Sequence, residues 1–418
     1  MGTDRFGNAY APGLPYARGE ILTSTEDDFR KLQQAWRIIE RTRQARGADA
    51  VFNFSGLERG LPLAAEELAI ADDEIAPALS FDRFRALALE HFGGVPDRHD
   101  AALFNRMTAA TLATHMTVVK PGDTVIGVSP SHSHPSVVRA AGHVGARFVD
   151  TRGLVEFRPA IEREAMVRLV VLTRLAVTYE LIPLEEIREI VRLAHGRGAL
   201  VYVDDAGGAR VGPAIFGQPR LLELGVDVGA TGMDKYGTVG PRLGLMGGET
   251  SLVSKIRAKA FEFGLEARPF VYPAAVRSLA GYRPERVREL VAATKEVAQA
   301  LKVRLGDRIT ETPVIAQLLA EDILEIAMER AGISRPTIVP FEATAALAML
   351  LLRDFGILTV HFVGLPPGTS AILFKFMPPE TVRRFGGPEA FAGAVDTCLD
   401  RLAALVKDPA EVRRLLFG

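Results

Sequence analysis

The fold is decided by residues 167–205, VRLVVLTRLAVTYELIPLEEIREIVRLAHGRGALVYVDD, whose pattern indicates a strand, a helix and a second strand. Two almost wholly apolar segments, VRLVVLT and ALVYVDD, flank PLEEIREIVRLAHGRG, in which apolar residues recur at helical spacing. Pro183 at the start of that segment and Gly198 just past its end are typical helix boundaries. Strands without alternation of apolar and polar residues are covered on both faces, as in parallel sheets between helices. The stretch therefore predicts a βαβ unit.

The same alternation of strands and helices continues over about residues 80–275. We therefore predict an α/β fold, with a large domain at residues 81–280 built on a mostly parallel, doubly wound sheet. Residues 281–418 change in texture, with helical segments around two short β segments, and predict a smaller α+β C-terminal domain. Residues 1–80 predict an extended N-terminal arm and one amphipathic helix. Ligands of such sheets bind beyond the carboxyl ends of the strands.

The composition excludes several classes of protein. The chain has 418 residues, 48% hydrophobic and 24% charged, with a formal net charge of −1, so we expect neither nucleic acid nor an anionic membrane as partner. Its single cysteine, Cys398, excludes an internal disulfide and a thiolate metal cluster. With no signal-peptide core and no apolar run of about 18 residues, we expect a cytoplasmic protein.

Two acids stand at the end of the second strand, Asp204 and Asp205, and glycines follow them. Acids in this position often cap the next turn, and that interpretation stays open. The functional interpretation is that one of them faces a positively charged ring nitrogen, because an ionised carboxylate holds such a nitrogen protonated. Pyridoxal 5'-phosphate (PLP) needs this pairing, since its protonated ring is the electron sink.

A lysine surrounded by glycines lies in ATGMDKYGTVGPRLG, residues 230–244. Lys235 could be a solvated lysine on a hinge. Alternatively it is a reactive amine that forms a Schiff base with a flat cofactor, which requires partial desolvation of the amine. The glycines then let the backbone approach the cofactor.

Two further features fit the same ligand. Thr108 and Ala109 open a helix, where free N–H groups can bind a phosphate, although many helices simply begin with threonine as a cap. Histidines cluster at His132, His134 and His143, but without the cysteine or acid spacing of a metal site we expect no metal. A histidine ring that stacks on a planar cofactor is the better functional interpretation, and a loop histidine in solvent is the alternative. Together the phosphate seat, ring, acid and amine predict PLP.

At about residues 50–400 the chain resembles the fold-type I PLP-dependent enzymes, the aminotransferase superfamily. GMDKYGTVGPRLGLMGG is similar to the lysine segment of the selenocysteine synthase (L-seryl-tRNA selenium transferase) group, and VFNFSGLERGLPL resembles that group's N-terminal motif. HPSVVRAAGHVGARFV resembles the segment of the ornithine/lysine/arginine decarboxylase branch that carries the stacking histidine. The resemblance implies a PLP-dependent transferase-like large domain and these roles: stacking ring His134, ring-nitrogen partner Asp204, Schiff-base lysine Lys235, and phosphate contacts Thr108, Ala109 and Thr231. Asp205 is then the residue beside the cofactor acid.

The chain departs from the family in its C-terminal domain. Members often carry there an arginine that binds the substrate carboxylate, in a strand where this chain has SAILFKFM and therefore Lys375. Arg210, Arg242 and Arg268 are alternative carboxylate or phosphate binders, unless they form ordinary surface ion pairs. The resemblance also implies a homodimer or higher assembly, and Arg59 or Tyr272 could then reach a partner's site.

The resemblance implies chemistry on an amino acid or amine through an external aldimine and a Cα carbanion. The lysine segment favours β-elimination or β-replacement, by a lyase or transferase of amino-acid metabolism. An aminotransferase is the alternative, and so is a decarboxylase or aldolase. An α/β ligand-binding module or a PLP-binding pseudoenzyme is the non-enzymatic alternative, although the chain has neither a G-x-G-x-x-G motif after its first strand nor a P-loop motif.

Overall fold

A computed structural model describes residues 2–362 and 365–418, and they form two compact units. Unit 2 spans residues 58–288, and unit 1 combines the residues up to 57 with those from 289 onward. The N-terminal residues thus group with the C-terminal ones. The division predicted from sequence, at residues 1–80, 81–280 and 281–418, stays a prediction about domains.

The elements are as follows in chain order. The first half contains α1 (Thr25–Arg46), β1 (Phe52–Asn53), α2 (Ala65–Leu68), α3 (Ile75–Phe92), β2 (His99–Phe104), α4 (Met107–Val118), β3 (Thr124–Ser129), α5 (Pro135–His143), β4 (Arg147–Arg152), α6 (Gly153–Arg163), β5 (Val167–Leu172), α7 (Leu184–Gly196) and β6 (Leu200–Asp204). The second half contains α8 (Gly208–Phe216), β7 (Val228–Gly232), β8 (Gly244–Glu249), α9 (Thr250–Phe263), α10 (Tyr272–Ala280), α11 (Pro284–Leu305), β9 (Ile309–Glu311), β10 (Ile315–Leu318), α12 (Ala320–Ala331), α13 (Pro340–Phe355), β11 (Ile357–Leu358), β12 (Ile372–Lys375), α14 (Pro379–Phe385), α15 (Pro388–Leu405) and α16 (Pro409–Phe417).

Unit 2 is built on a seven-stranded sheet with the order β2-β8-β7-β6-β5-β3-β4. The five strands from β7 to β4 pair in parallel, and β8 pairs antiparallel with both β7 and β2. The predicted α/β fold with a mostly parallel sheet is therefore confirmed. Strands β2 and β8 were not predicted from the sequence. Strand β8 is rich in glycine and lacks the apolar run of a buried strand.

The stretch at residues 167–205 forms the predicted βαβ unit, with α7 between β5 and β6. Along β5 successive residues pack on opposite faces of the sheet. Val170 and Leu172 belong to one apolar cluster, and Leu169 and Val171 belong to the other. Because both faces are covered, the buried positions of such a strand must be apolar, and the one charged residue of β5, Arg168, is exposed. That requirement is the physical reason for the pattern in the sequence.

Unit 1 packs helices α1, α12, α13, α15 and α16 around a single apolar cluster. Its strands form an antiparallel sheet of order β12-β10-β9, and β1 pairs in parallel with β11. The predicted β segment SAILFKFM contains β12. The other predicted segment, ILTVHFVG, forms only the two residues of β11 and then a short 3-10 helix, Val360–Phe362, and its last two residues lie outside the described part. Within the described residues no helix is long and apolar enough to cross a membrane.

Candidate functional site

Strand β6 delivers Asp204 and Asp205 to the carboxyl edge of the sheet in unit 2. Asp204 lies opposite Ala230 of β7 in the parallel register, and the backbone N–H of Asp205 donates to the Ala230 carbonyl at 2.9 Å. Both acids are buried. The ladder between β6 and β7 therefore fixes the two carboxylates beside the end of the strand that leads to Lys235.

Asp205 forms a fully buried ion pair with Arg174. The guanidinium donates from Nε to Asp205 Oδ1 at 3.1 Å and from Nη2 to Oδ2, and its Nη1 donates to the Pro219 carbonyl at 2.8 Å. Gly208 lies so close that a Cβ there would clash with Asp205 Oδ1. The charge of Asp205 is therefore neutralised within the protein.

The Asp204 carboxylate has no hydrogen-bond donor among the described residues, although only 5% of the residue is exposed. Burial, and then the negative charge of Asp205, raise the pKa of Asp204 to about 7, while Lys235 opposes the shift. A buried carboxylate without a donor is costly to ionise. Asp204 is therefore suited to accept a hydrogen bond from a positively charged ligand.

Lys235 lies in a tight turn just after β7. Thr238 Oγ1 donates to the carbonyls of Met233 at 2.9 Å and of Lys235 at 2.7 Å, which fixes the turn. The Nζ atom lies 3.8 Å from Asp234 Oδ1, and 20% of the Lys235 side chain is exposed. Burial lowers the pKa of Lys235 despite the opposing carboxylate of Asp234. The amine is thus more available as a nucleophile or base than a solvated lysine.

His134 caps the N-terminus of α5, where its Nδ1 accepts a hydrogen bond from the Ser136 backbone N–H at 3.1 Å. Burial lowers the pKa of His134 to about 4, and the positive charges around it, which include Lys235, act in the same direction. The ring is therefore neutral at physiological pH, with its proton on Nε2. The structure places it near Lys235, but its stacking role stays a prediction.

Thr108 and Ala109 lie in the first turn of α4, which begins without a side-chain cap after Arg106. Thr108 is exposed, and the helix N-terminus offers N–H groups to an anion. The neighbouring Thr111 hydroxyl is not free for this purpose, because it bonds to the Met107 carbonyl and lies 2.9 Å from the Tyr202 hydroxyl. The phosphate seat at Thr108 and Ala109 stays a prediction.

Thr231 and Arg210 meet at the end of β7. The Thr231 hydroxyl donates to the Ala206 carbonyl at 3.0 Å and accepts from Arg210 Nη1 at 3.4 Å. Arg210 also donates from Nη1 to the Gly232 carbonyl at 2.7 Å and is fully buried. Its Nε and Nη2 have no hydrogen-bond partner among the described residues. The phosphate contact of Thr231 and the binding of substrate by Arg210 stay predictions.

Two further residues were predicted as substrate ligands, Arg268 and Lys375. Arg268 is largely exposed and pairs with Asp73 in unit 2. Lys375 is buried at the end of β12 in unit 1, opposite Ile315 of β10. Tyr272 was named as a residue that could reach the site of a partner subunit. Its ring packs edge-on against that of Phe84, with the two ring centroids 5.0 Å apart. None of these contacts tests a role in substrate binding.

Asp234 has charged neighbours that are distant from it in the sequence. Arg59 Nε lies 3.4 Å from Asp234 Oδ2. Residues 58–60 reach this position because Gly60 N–H donates to the Gly240 carbonyl at 3.1 Å and Gly240 N–H donates to the Glu58 carbonyl at 3.2 Å. The negative charge of Asp234 also acts on Arg242, where it opposes the lowering of the Arg242 pKa. In the sequence, only the resemblance of VFNFSGLERGLPL pointed to Arg59, and it did not indicate that Asp234 is the partner of this arginine.

Tyr236, the residue after Lys235, is held by a second tyrosine. The hydroxyls of Tyr236 and Tyr179 lie 2.6 Å apart, and both residues are buried. Tyr179 has a φ of 66°, a left-handed conformation that is unfavourable for a bulky side chain. Such conformations persist where the surrounding structure imposes them, often at functional sites.

Two curated archaeal proteins are similar to this chain over most of its length. A protein from Methanothermobacter thermautotrophicus, described as a UPF0425 pyridoxal phosphate-dependent protein, is 30% identical over 404 residues, 95% of this chain and 100% of the relative. One of the same description from Methanosphaera stadtmanae is 28% identical over 357 residues, 85% of this chain and 90% of the relative. No protein-family model matches the chain.

Solved structures share the fold. A serine palmitoyltransferase from S. paucimobilis, with PLP and myriocin bound, has a TM-score of 0.57 at 17% identity and covers 84% of this chain and 88% of its own. An alanine–glyoxylate aminotransferase from Nostoc sp. has the same TM-score and identity, over 84% of this chain and 95% of its own. At this identity the likeness shows the fold alone.

Proposed function

We propose, because the chain belongs to the UPF0425 family of pyridoxal phosphate-dependent proteins, that it is an enzyme that binds PLP and acts on a small amino-acid-like substrate. The proposal concerns the carboxyl edge of the sheet in unit 2. The likeness of the fold to PLP enzymes supports it.

The observation that carries the proposal is the contrast between Asp204 and Asp205. One acid is neutralised by Arg174, whereas the other is buried with no hydrogen-bond donor among the described residues. A protonated pyridine nitrogen would supply both the missing donor and the missing charge. The resemblance implies Asp204 for this role, and the ion pair of Asp205 with Arg174 supports that choice.

The remaining residues fit the other parts of the cofactor. Lys235 would hold it through Nζ, the neutral ring of His134 would lie against its face, and the first turn of α4 would bind its phosphate. When bound, PLP supplies the electron sink that stabilises negative charge at the substrate's α-carbon. Asp204 would keep the ring nitrogen protonated, which is the condition for that sink.

Proton transfer in the site would belong to Lys235. Burial lowers the pKa of its amine, so Nζ can accept a proton near neutral pH more readily than an ordinary lysine. The low pKa of His134 makes that ring a poor proton carrier in the same range. We therefore assign the acid–base role to Lys235 and the positioning role to His134.

For the reaction we propose β-elimination or β-replacement, by a lyase or transferase. The support is the resemblance of the segment around Lys235 to the selenium-transferase group. An aminotransferase is the alternative, and a decarboxylase or aldolase is a further one. A PLP-binding protein without turnover is the non-enzymatic alternative. With amino acids that carry a leaving group on Cβ, release of ammonia and a keto acid would support elimination, and an amino-acceptor requirement would support transamination.

The first prediction concerns the cofactor. The protein purified with PLP should absorb in the visible range, and borohydride should fix that absorbance to the chain. Lys235→Ala should lose the fixed absorbance, because the variant lacks the amine that holds the cofactor. Lys120→Ala, which removes an exposed lysine of the same unit, should behave as wild type. A colourless wild-type protein that stays colourless with added PLP would overturn the proposal.

We also propose that the enzyme is a cytoplasmic homodimer or higher assembly, since the resemblance implies subunits that share sites. Sedimentation of the PLP-loaded protein measures its mass directly. A monomer at the concentrations of the assay that turns over substrate would contradict this.

A further inference from the structure

Helix α1 carries an aromatic surface that faces solvent. Phe29 and Trp36 are 43% and 50% exposed, although side chains of this size are usually buried. Their rings meet edge-on, with the centroids 5.8 Å apart, so they form one continuous apolar surface. Leu32 and Ile39 lie half-buried beside them. We call these four residues the α1 patch.

The opposite side of α1 already holds the helix on unit 1. Lys31, Ala35, Ile38 and Thr42 are buried on that side, where the helix packs on α13 and α16. The two aromatic rings of the α1 patch are therefore not needed to keep α1 in place. An amphipathic helix of a soluble protein normally turns a polar face to water. An apolar surface on that face indicates a binding partner.

The charges at the two ends of α1 have opposite signs. The first turn is acidic, and the last turn is basic. Glu26 of the first turn and Arg43 and Arg46 of the last turn are exposed, and none of the three has an ion-pair partner among the described residues. A second α1 running in the opposite direction would bring the basic end of each helix to the acidic end of the other. The surface of α1 is thus complementary to itself, as a twofold interface requires.

We propose that the α1 patch binds a second copy of this chain, with the two α1 helices paired antiparallel about a twofold axis near Trp36. Phe29 and Arg43 each lie seven positions from Trp36 (36 − 29 and 43 − 36), which is two helical turns and keeps all three on one side of the helix. In the pair, Phe29 of one copy would face Arg43 of the other, and a guanidinium over an aromatic ring is favourable. The inference does not depend on the bound cofactor or on the proposed function.

Sedimentation equilibrium over a series of protein concentrations tests the inference. One helix pair is small beside a standard protein interface, so this association step should appear as a rise in mass with concentration. Trp36→Asp should raise the Kd of the step by about thirtyfold or more, the effect of losing an aromatic hot spot. Val303→Asp, at an 88% exposed valine of the same unit, is the matched control and should associate as the wild type does.

An exchange of charges tests the antiparallel direction. Arg43→Glu should raise the Kd of the step about fivefold, because an acid then meets the acidic end of the second helix. Adding Glu26→Arg to the same chain should restore the association, since opposite charges face each other again. A different protein as partner would not be restored by two changes within this chain. Far-UV circular dichroism of each variant checks that α1 remains helical.

The results that would overturn the inference are distinct. A wild-type protein without an association step that Trp36→Asp weakens would show that α1 is not an interface between copies. If Arg43→Glu with Glu26→Arg associates no better than Arg43→Glu alone, the helices do not pair antiparallel. If Trp36→Asp does not fold, these two charge variants still decide. Flotation of the wild type with vesicles of anionic lipid, lost in Trp36→Asp and without self-association, would assign the α1 patch to a membrane instead.

Discussion

Asp204 and Asp205 are neighbours in the chain with opposite surroundings, and their effects on stability should be opposite. The pKa of Asp204 is raised to about 7 from its ordinary value of 3.8. A carboxyl with a raised pKa in the folded state stabilises the protein below its unfolded pKa, and that contribution is lost as the pH rises through the folded pKa. In the PLP-free protein, Asp204 is therefore unfavourable at pH 8.

The prediction at the residue scale follows from this sign. Asp204→Asn should raise the free energy of unfolding of the PLP-free protein at pH 8 by up to about 4 kcal/mol, with a smaller gain at pH 5. Asp205→Asn should lower it by about 3–5 kcal/mol, because the buried Arg174 loses its partner. Chemical denaturation at the two pH values measures both. If the gain in the free energy of unfolding of Asp204→Asn does not grow between pH 5 and pH 8, the pKa of Asp204 is not raised in the folded protein.

At the scale of elements, β8 lies in close contact with the start of α4, where the phosphate seat is predicted, and this contact limits where the first turn of α4 can lie. A Cβ at Gly244 would lie 2.8 Å from the carbonyl carbon and oxygen of Arg106, the residue that precedes the helix. Backbone atoms cannot rotate away as a flexible side chain can. A larger residue at position 244 must therefore move the N-terminal turn of α4.

We expect Gly244→Ala to weaken PLP binding by about tenfold or more, since overpacking of this kind costs about 1–3 kcal/mol. Titration of the PLP-free protein with the cofactor measures the Kd. Gly142→Ala is the control, because a Cβ at this position of α5 would meet nothing within 4 Å. If the Kd of Gly244→Ala equals that of the control, the start of α4 is not the phosphate seat.

At the scale of the whole molecule, the two units should respond differently to the cofactor. The residues assigned to PLP, Thr108, Ala109, His134, Asp204, Thr231 and Lys235, all lie in unit 2, residues 58–288. Binding to the folded state protects the elements that hold the ligand from local opening. Hydrogen exchange should therefore slow most at the ends of β6 and β7 and at the start of α4. Lys235→Ala should show less protection at the same PLP concentration, and protection confined to unit 1 would contradict the proposed site.

The sequence by itself determined the parallel sheet of unit 2 and the positions of Asp204 and Lys235 along it. Strands covered on both faces are apolar at their buried positions, so β5, apart from Arg168, and β6 up to Asp204 were visible as apolar runs. The residues that follow such a run lie at the carboxyl edge, which placed Asp204 and Asp205 there, and the resemblance then implied Asp204 as the partner of the ring nitrogen. For Lys235, the glycines around it gave the signal. These features are local, and local sequence is sufficient to show them.

Only the tertiary structure decided which charges meet. Arg174 precedes Asp205 by 31 positions and Arg59 precedes Asp234 by 175, and neither separation is encoded in a periodic pattern. The partner of a charged side chain depends on strand order and on loops such as residues 58–60, which are set by long-range packing. The glycine-rich strand β8 was missed for the same reason, since its place between β7 and β2 depends on its neighbours and not on its own side chains.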